Sequence, residues 1–195
     1  KDVLKRAFSM GADRGILLMD DAFEGCDGLG IASILSKAIN KIGEVGLVLC
    51  GRQASDDDQG VVGPALAGML DIPCVSIAKS IEISDGNKIN VVRVMSDGDE
   101  HVEVDSPALV TVSNEIGEPR YPSLANIMAA RKKEAEVWTA ADLELGEEFN
   151  SNKSKVVRES LSIPEIQASS EFIDGSDVGD KASKLIKILE DDGVL

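Results

Sequence analysis

The strongest chemical signal in this chain is the run Gly51-Arg52-Gln53-Ala54-Ser55-Asp56-Asp57-Asp58-Gln59-Gly60-Val61-Val62. An apolar stretch, residues 45–50, precedes it and reads as a buried strand; residues 62–70 follow and read as a short helix. A turn rich in glycine and small residues between a strand end and a helix start leaves backbone N–H groups free. Beside the positive end of a helix such groups bind phosphate. The carboxylates of Asp56, Asp57 and Asp58 oppose an anion unless amides near residues 59–62 hold it. The acids then point outward, cap the helix or accept from ribose hydroxyls. The plain alternative is an acidic turn with Asp58 as helix cap. No Gly-Lys-Ser/Thr follows, so this is not a Walker loop. Adjacent loop residues rarely converge on one ion, which disfavours a metal.

The elements that position this loop follow from periodicity. Residues 1–10 carry Val3, Leu4, Ala7 and Phe8 at helical spacing, and Gly11 ends the pattern. Residues 16–19 read as a strand and residues 23–27 as a loop. A helix over residues 28–42 presents an apolar stripe of Ile31, Ile34, Leu35, Ala38, Ile39 and Ile42. This alternation predicts an α/β fold, a mainly parallel sheet flanked by helices in a Rossmann-like layered arrangement. The texture then changes. Residues 74–84, 88–96 and 101–104 are β-branched or alternating, with Asp85-Gly86 and Asp97-Gly98 as turn signals, and they predict an antiparallel hairpin region. Residues 108–113 are again a buried-type strand. Residues 123–134 are helical, and residues 136–139 are short and extended.

After residue 145 the chain turns polar. We expect a linker over residues 146–152 and one amphipathic helix over residues 177–189. A lone helix cannot bury its own apolar face, so residues 146–195 are expected to form a C-terminal arm that packs on a partner subunit, with residues 1–145 as the nucleotide-binding domain. A parallel sheet that opens on a helix is incomplete. A βαβ unit takes roughly 30 residues or more, so the N-terminal part of the fold is expected to be missing from this sequence.

The net charge of −15 over 195 residues opposes a nucleic-acid backbone or an anionic membrane as partner, and serves solubility. No run is long enough to insert in a membrane, and the expected setting is cytoplasmic. Aromatic residues are 3% of the chain, so the core must be aliphatic. Cys26, Cys50 and Cys74 are too scattered for a disulfide framework or a metal site. Gly28-Leu29-Gly30-Ile31-Ala32-Ser33 imitates a dinucleotide fingerprint. It lacks the third Gly/Ala, and the next strand ends in Cys50-Gly51 rather than an acid; a tight helix start is the better reading. His101 is the only histidine and reads as a solvated strand residue.

A second block reads Glu118-Pro119-Arg120-Tyr121-Pro122-Ser123-Leu124-Ala125-Asn126-Ile127-Met128-Ala129-Ala130-Arg131-Lys132-Lys133. Together with the Gly51-Arg52-Gln53-Ala54-Ser55-Asp56 opening and Pro107-Ala108-Leu109-Val110-Thr111, it resembles the beta subunits of electron-transfer flavoproteins. The resemblance covers about residues 1–145. It implies an alpha-subunit partner that carries FAD, and an adenine nucleotide at Gly51 to Val62. That nucleotide is structural AMP in many members and a second FAD in electron-bifurcating members. Here Gln59 stands where the family has Thr or Cys, and Val61 where it has Gln. Val62-Gly63-Pro64 is similar to bacterial members and leans towards FAD. The resemblance further implies that Tyr121, Leu124, Ile127, Met128, Arg131 and Lys132 dock a flavin-containing dehydrogenase, such as an acyl-CoA dehydrogenase, with Leu124 as anchor. Its bland counterpart is a surface helix with a cationic C-terminal end.

The resemblance thus implies an electron-carrier subunit rather than an enzyme by itself, with bifurcating NADH oxidation a property of a larger complex. Two rival classes share the fold. An adenine-nucleotide hydrolase typically carries Ser-Gly-Gly-x-Asp-Ser, which is absent here. A nucleotide-binding stress-type module has no use for the Glu118–Lys133 block. No Ser-His-Asp set, Gly-x-Ser-x-Gly or His-Glu-x-x-His is present either.

Overall fold

A computed structural model describes residues 2–84, 86–164 and 170–195 of the chain. Asp85 of the expected Asp85-Gly86 turn, Lys1 of the first helix, and part of the expected arm lie outside the described residues. Two compact units divide the chain at Val157/Arg158.

The first unit holds two sheets. Strands β1 (Ile16–Leu18) and β7 (Glu136–Trp138) pair in parallel. Strands β2 (Leu47–Gly51), β6 (Ala108–Val112), β3 (Cys74–Ser84), β4 (Lys88–Met95) and β5 (Gly98–Asp105) form the second sheet in that order. Its β2, β6 and β3 run parallel; β3, β4 and β5 form the antiparallel meander. The fold class expected from the sequence therefore holds, as a mixed sheet with helices on it. Strand β5 runs longer than its alternation indicated, because its edge position lets polar residues occupy both faces.

Helix α2 (Gly28–Ile42) lies between two cores. Ala32 packs with Leu66, Ala67 and Leu109, while Ile34 and Ala38 pack with Trp138 and Leu143. Burial on two sides explains why Ile31 and Ile42, members of the predicted stripe, are left exposed. On the far side of the five-stranded sheet, Val75, Ala78, Ile89, Val91, Ala108 and Val110 form an aliphatic core under the meander. At about 25 cal/mol per Å² of apolar area, such methyl-rich faces supply the main driving force in an aromatic-poor chain.

Helix α3 (Val62–Leu70) packs closely on β6. A Cβ on Gly63 would stand 2.6 Å from Thr111 Cγ2, so only glycine permits this approach. The same Thr111 is buried, and its Oγ1 accepts from the Ile77 backbone N–H at 3.0 Å. Ile77 sits at φ +60°, in a bulge where the register of β3 slips against β6. A β-branched residue there is a true outlier, costing about 1–3 kcal/mol. The Thr111 hydroxyl offsets part of that cost by satisfying an amide that the ladder leaves free.

Residues 146–152 differ from expectation. They contain a short helix, α5 (Glu147–Asn152), rather than only a linker, and Phe149 packs against the Trp138 core. The following backbone is strapped across the start of α2. Asp27 caps α2 by accepting from Leu29 N at 3.0 Å and Gly30 N at 2.9 Å. Its other oxygen accepts from Lys155 N at 2.6 Å, and Asp27 N donates to Lys153 O at 3.4 Å. A Cβ on Gly30 would stand 2.0 Å from Lys153 O, so the second glycine of the imitated fingerprint serves this strap.

These backbone donors, Lys155 N–H foremost, hold the Asp27 carboxyl below its ordinary value. A depressed folded pKa contributes stability that is present above the unfolded value, about 3.9, and is lost as pH falls through the folded value. Protection of the amides at residues 153–156, measured against the intrinsic exchange rate at each pH, should therefore fall below about pH 4, ahead of protection in β6. Strap protection unchanged down to the global acid transition would refute this role of Asp27.

The second unit contains α6 (Val178–Asp191), capped by Asp177, which accepts from Asp180 N at 2.9 Å. Leu185 and Ile186 are exposed on it. No helix among the described residues is long and apolar enough to cross a membrane. Cys26, Cys50 and Cys74 are unbridged, and burial raises the thiol pKa of each.

Candidate functional site

The loop singled out by sequence leaves the carboxyl edge of the parallel strands. Gly51 pairs with Val112 at the ends of β2 and β6, and Arg52 N donates to Val112 O at 2.8 Å. This edge is where open α/β sheets hold ligands, because the strand-to-helix turns there expose free amides. Residues 51–59 are all exposed.

The loop is organised by its own side chains. Asp58 N donates to Ala54 O at 2.9 Å, closing a turn with Asp58 at φ +53° and Gly60 at φ +63°. Gln53 Nε2 donates to Asp58 Oδ1 at 2.7 Å, and Gln59 Nε2 donates to Asp57 Oδ1 at 3.1 Å. Two of the three acids are thus engaged by amide side chains. Asp58 does not cap α3, contrary to the plain alternative. The cap residue is Val61, which has no side-chain acceptor, so the first-turn N–H groups of α3 are not taken up by a carboxylate. Asp57 and Asp58 are thus held by Gln59 and Gln53 rather than by α3, and the positive end of that helix carries no carboxylate cap.

Two neighbours of the loop were not legible in the sequence. Arg52 Nη1 lies 3.7 Å from Glu115 Oε1, on the short 3-10 turn Asn114–Ile116 after β6. The Glu115 carboxyl is held low first by its own backbone N–H, then by Ser113 and Arg52. The start of α2 also borders the loop: a Cβ on Gly28 would lie 3.5 Å from Val61 Cβ and 3.7 Å from Gln59 Oε1. No group of three or more metal-ligating side chains occurs among the described residues.

The second block forms α4 (Leu124–Lys132), capped by Ser123, whose hydroxyl accepts from Asn126 N at 3.2 Å. Tyr121 is 95% exposed, Leu124 82% and Met128 57%; Ile127 is half-buried. Arg131 and Lys132 are exposed at the last turn, where the helix dipole favours cations. Among the residues of this helix only Ala130 is buried. Tyr121, Leu124 and Met128 therefore face outward rather than forming core. The loop and α4 are separate groups, and no hydrogen bond or ion pair joins them among the described residues.

The chain resembles known proteins over most of its length. Residues 1–143 match the model of the electron transfer flavoprotein domain. An electron transfer flavoprotein subunit beta from Thermoanaerobacterium thermosaccharolyticum is 42% identical over 177 residues, 89% of this chain and 66% of that protein. The caffeyl-CoA reductase-Etf complex subunit CarD from Acetobacterium woodii is 36% identical over 197 residues, 100% of this chain and 74% of that protein. The Bos taurus electron transfer flavoprotein subunit beta is 41% identical over 145 residues, 73% of this chain and 56% of that protein. The chain thus spans between about half and three quarters of the length of these relatives. With a match over nearly three quarters of its residues, on a fold of the expected class, the chain belongs to the electron transfer flavoprotein domain family.

Proposed function

We propose that this chain acts as the beta subunit of a heterodimeric electron-transfer flavoprotein. It binds an adenine nucleotide in the loop at residues 51–62 and docks a flavin-containing dehydrogenase through the α4 block. The observation that carries the nucleotide reading is the open N-terminal end of α3 at the carboxyl edge of β2 and β6, with Asp57 and Asp58 engaged by glutamine side chains. Backbone amides there suit a phosphate, and Gly60 permits close approach. FAD is our first assignment for the occupant, with AMP as the alternative. A bound flavin supplies the redox chemistry, which no residue of this chain performs. The chain's own part is to orient the nucleotide, to close one side of the electron path and to present the docking surface. In this reading the protein is cytoplasmic, and any NADH oxidation belongs to a larger complex.

The docking reading is supported by exposed Leu124, Tyr121 and Met128 beside the cations Arg131 and Lys132. An apolar anchor with a basic rim suits brief, steered encounters with an acidic partner surface. The arm beyond residue 157 exposes Leu161, Ile163 and Phe172, and we assign it to packing on the alpha subunit.

One preparation tests these assignments. The chain purified with its alpha subunit should be yellow. On denaturation it should release FAD beyond one equivalent, or FAD plus AMP, identified by mass. Amides of residues 170–195 should gain protection in the complex relative to the isolated chain. A colourless complex without nucleotide would overturn the functional reading; equal protection in both states would overturn the arm assignment alone.

A further inference from the structure

Helices α1 (Asp2–Ser9) and α4 exchange lysines. Lys5 Nζ donates to the carbonyl of Ala130 at 3.4 Å, to that of Arg131 at 3.2 Å, and to that of Lys133, the C-cap of α4. In return, Lys133 Nζ donates to Ala12 O at 2.7 Å and lies 5.5 Å from the centre of the Phe8 ring. Each ammonium therefore closes on the other segment's backbone, across more than a hundred residues of sequence.

Three facts give this clasp more than ordinary weight. The final carbonyls of a helix lack intrahelical partners and carry its partial negative charge, and an ammonium with three donors suits them. Carboxylates outnumber cations 35 to 20 in this chain, yet neither Lys5 nor Lys133 pairs with one among the described residues. Most important, α4 has nine residues and only Ala130 is buried. So short a helix is marginal by itself, and its apolar packing on α1 comes only from Ala130 and the half-buried Ile127. Its outward side chains, Leu124 and Met128, cannot anchor it to its own fold. Ser123 caps the start of α4 only locally, so the polar contacts that tie the helix to the rest of the fold among the described residues are those of the lysine clasp at its other end.

We infer that Lys5 is a positioning residue for partner docking: by capping the C-terminal end of α4 from α1, it holds the Leu124 face in the orientation that the dehydrogenase meets. This rests on the docking role proposed above. Lys5 touches no partner itself; it acts through the backbone of residues 130–133. Without its ammonium the last turn of α4 frays, and the helix must be ordered at each encounter. That ordering weakens association and leaves the electron-transfer step unchanged.

The test compares Lys5→Met, Lys5→Arg and Leu124→Ala in the complex with the alpha subunit. An acyl-CoA dehydrogenase reduced by its acyl-CoA serves as electron donor. Assays at high ionic strength screen the change in net charge. Lys5→Met keeps the aliphatic stem and removes the donors. Its apparent KM for the dehydrogenase should rise roughly fivefold with kcat and nucleotide content unchanged, as expected for one charge-assisted contact group. Lys5→Arg should recover most of the loss. Trypsin should cut after residues 131–133 faster in Lys5→Met than in the parent. Four results would overturn the inference. If Lys5→Met keeps the parent KM while Leu124→Ala raises it, the docking reading stands and the clasp has no part in it. If neither changes KM, both fail. A lowered melting temperature at unchanged KM makes the clasp purely structural. Unchanged trypsin cleavage shows that Lys5 does not hold the last turn.

Discussion

Replacing Asp58 by Leu and Gly60 by Val should empty the nucleotide loop while leaving the sheet intact. Both positions have positive φ, +53° and +63°. Side chains without a local polar contact pay roughly 1–2 kcal/mol for such a backbone, and a β-branched residue is the worst choice. The nearest atom to a Cβ on Gly60 is Arg52 O at 3.6 Å, so the effect is conformational rather than a clash. Asp58→Leu also removes the acceptor of Gln53 and strains, through its positive φ, the turn that the residue 58 N–H closes onto Ala54. Together these changes amount to about 2–4 kcal/mol of loop distortion, hence a retention of nucleotide weaker by roughly 30- to 700-fold. Residues 51–59 are exposed and contribute nothing to the buried clusters, so circular dichroism and the melting midpoint should change little. Mass analysis of the denatured double variant is the decisive measurement. A full equivalent of nucleotide still bound at this subunit would place the site elsewhere.

Leu124→Ala should slow electron transfer from the dehydrogenase without affecting stability or flavin content. Truncating a central anchor costs about 2 kcal/mol or more, which weakens partner binding by roughly 30-fold. A Leu belonging to a core would instead lose about 2–5 kcal/mol of folding stability. Leu124 is 82% exposed and meets the first condition, not the second. Substitutions at such positions usually change stability by less than about 0.5 kcal/mol. The rate at limiting dehydrogenase and the thermal midpoint, measured on one preparation, separate the two. A lower midpoint with an unchanged rate per folded molecule would remove Leu124 from the docking surface.

The loop residues that drive the first experiment are legible in the amino-acid sequence for a local reason, whereas Leu124 is singled out by the family resemblance. Glycines, small residues and a helix start next to one another announce a strand-to-helix turn. Helical spacing announces α2, α3, α4 and α6, and their observed bounds follow the pattern closely. The departures from expectation are local too. Residues 146–152 are polar enough to pass for a linker, yet the segment contains a helix, and Phe149 finds a place in the Trp138 core. Asp58 precedes α3 and has the residue type of a cap, but Gln53 reaches it from the other side of the loop.

The sequence by itself determined the order of elements, the aliphatic core and the strand-to-helix loop, because these depend on spacing within a few residues; that Leu124 faces outward was implied only by the family resemblance and was decided by the structure. Only the tertiary structure decided what those elements meet. Ile77 is forced to φ +60° by a register slip between β3 and β6, and Thr111, 34 positions away, satisfies its amide. Gly30 is needed because Lys153 O crosses the start of α2, and Gly63 because Thr111 lies beneath α3. Arg52 meets Glu115, and Lys5 reaches the end of α4 across 125 positions. A pair at such separation leaves no periodic trace in a single sequence. Its geometry exists only once the apolar faces have been buried and the backbone ends brought together, since burial fixes the elements and the polar contacts form where the elements then meet.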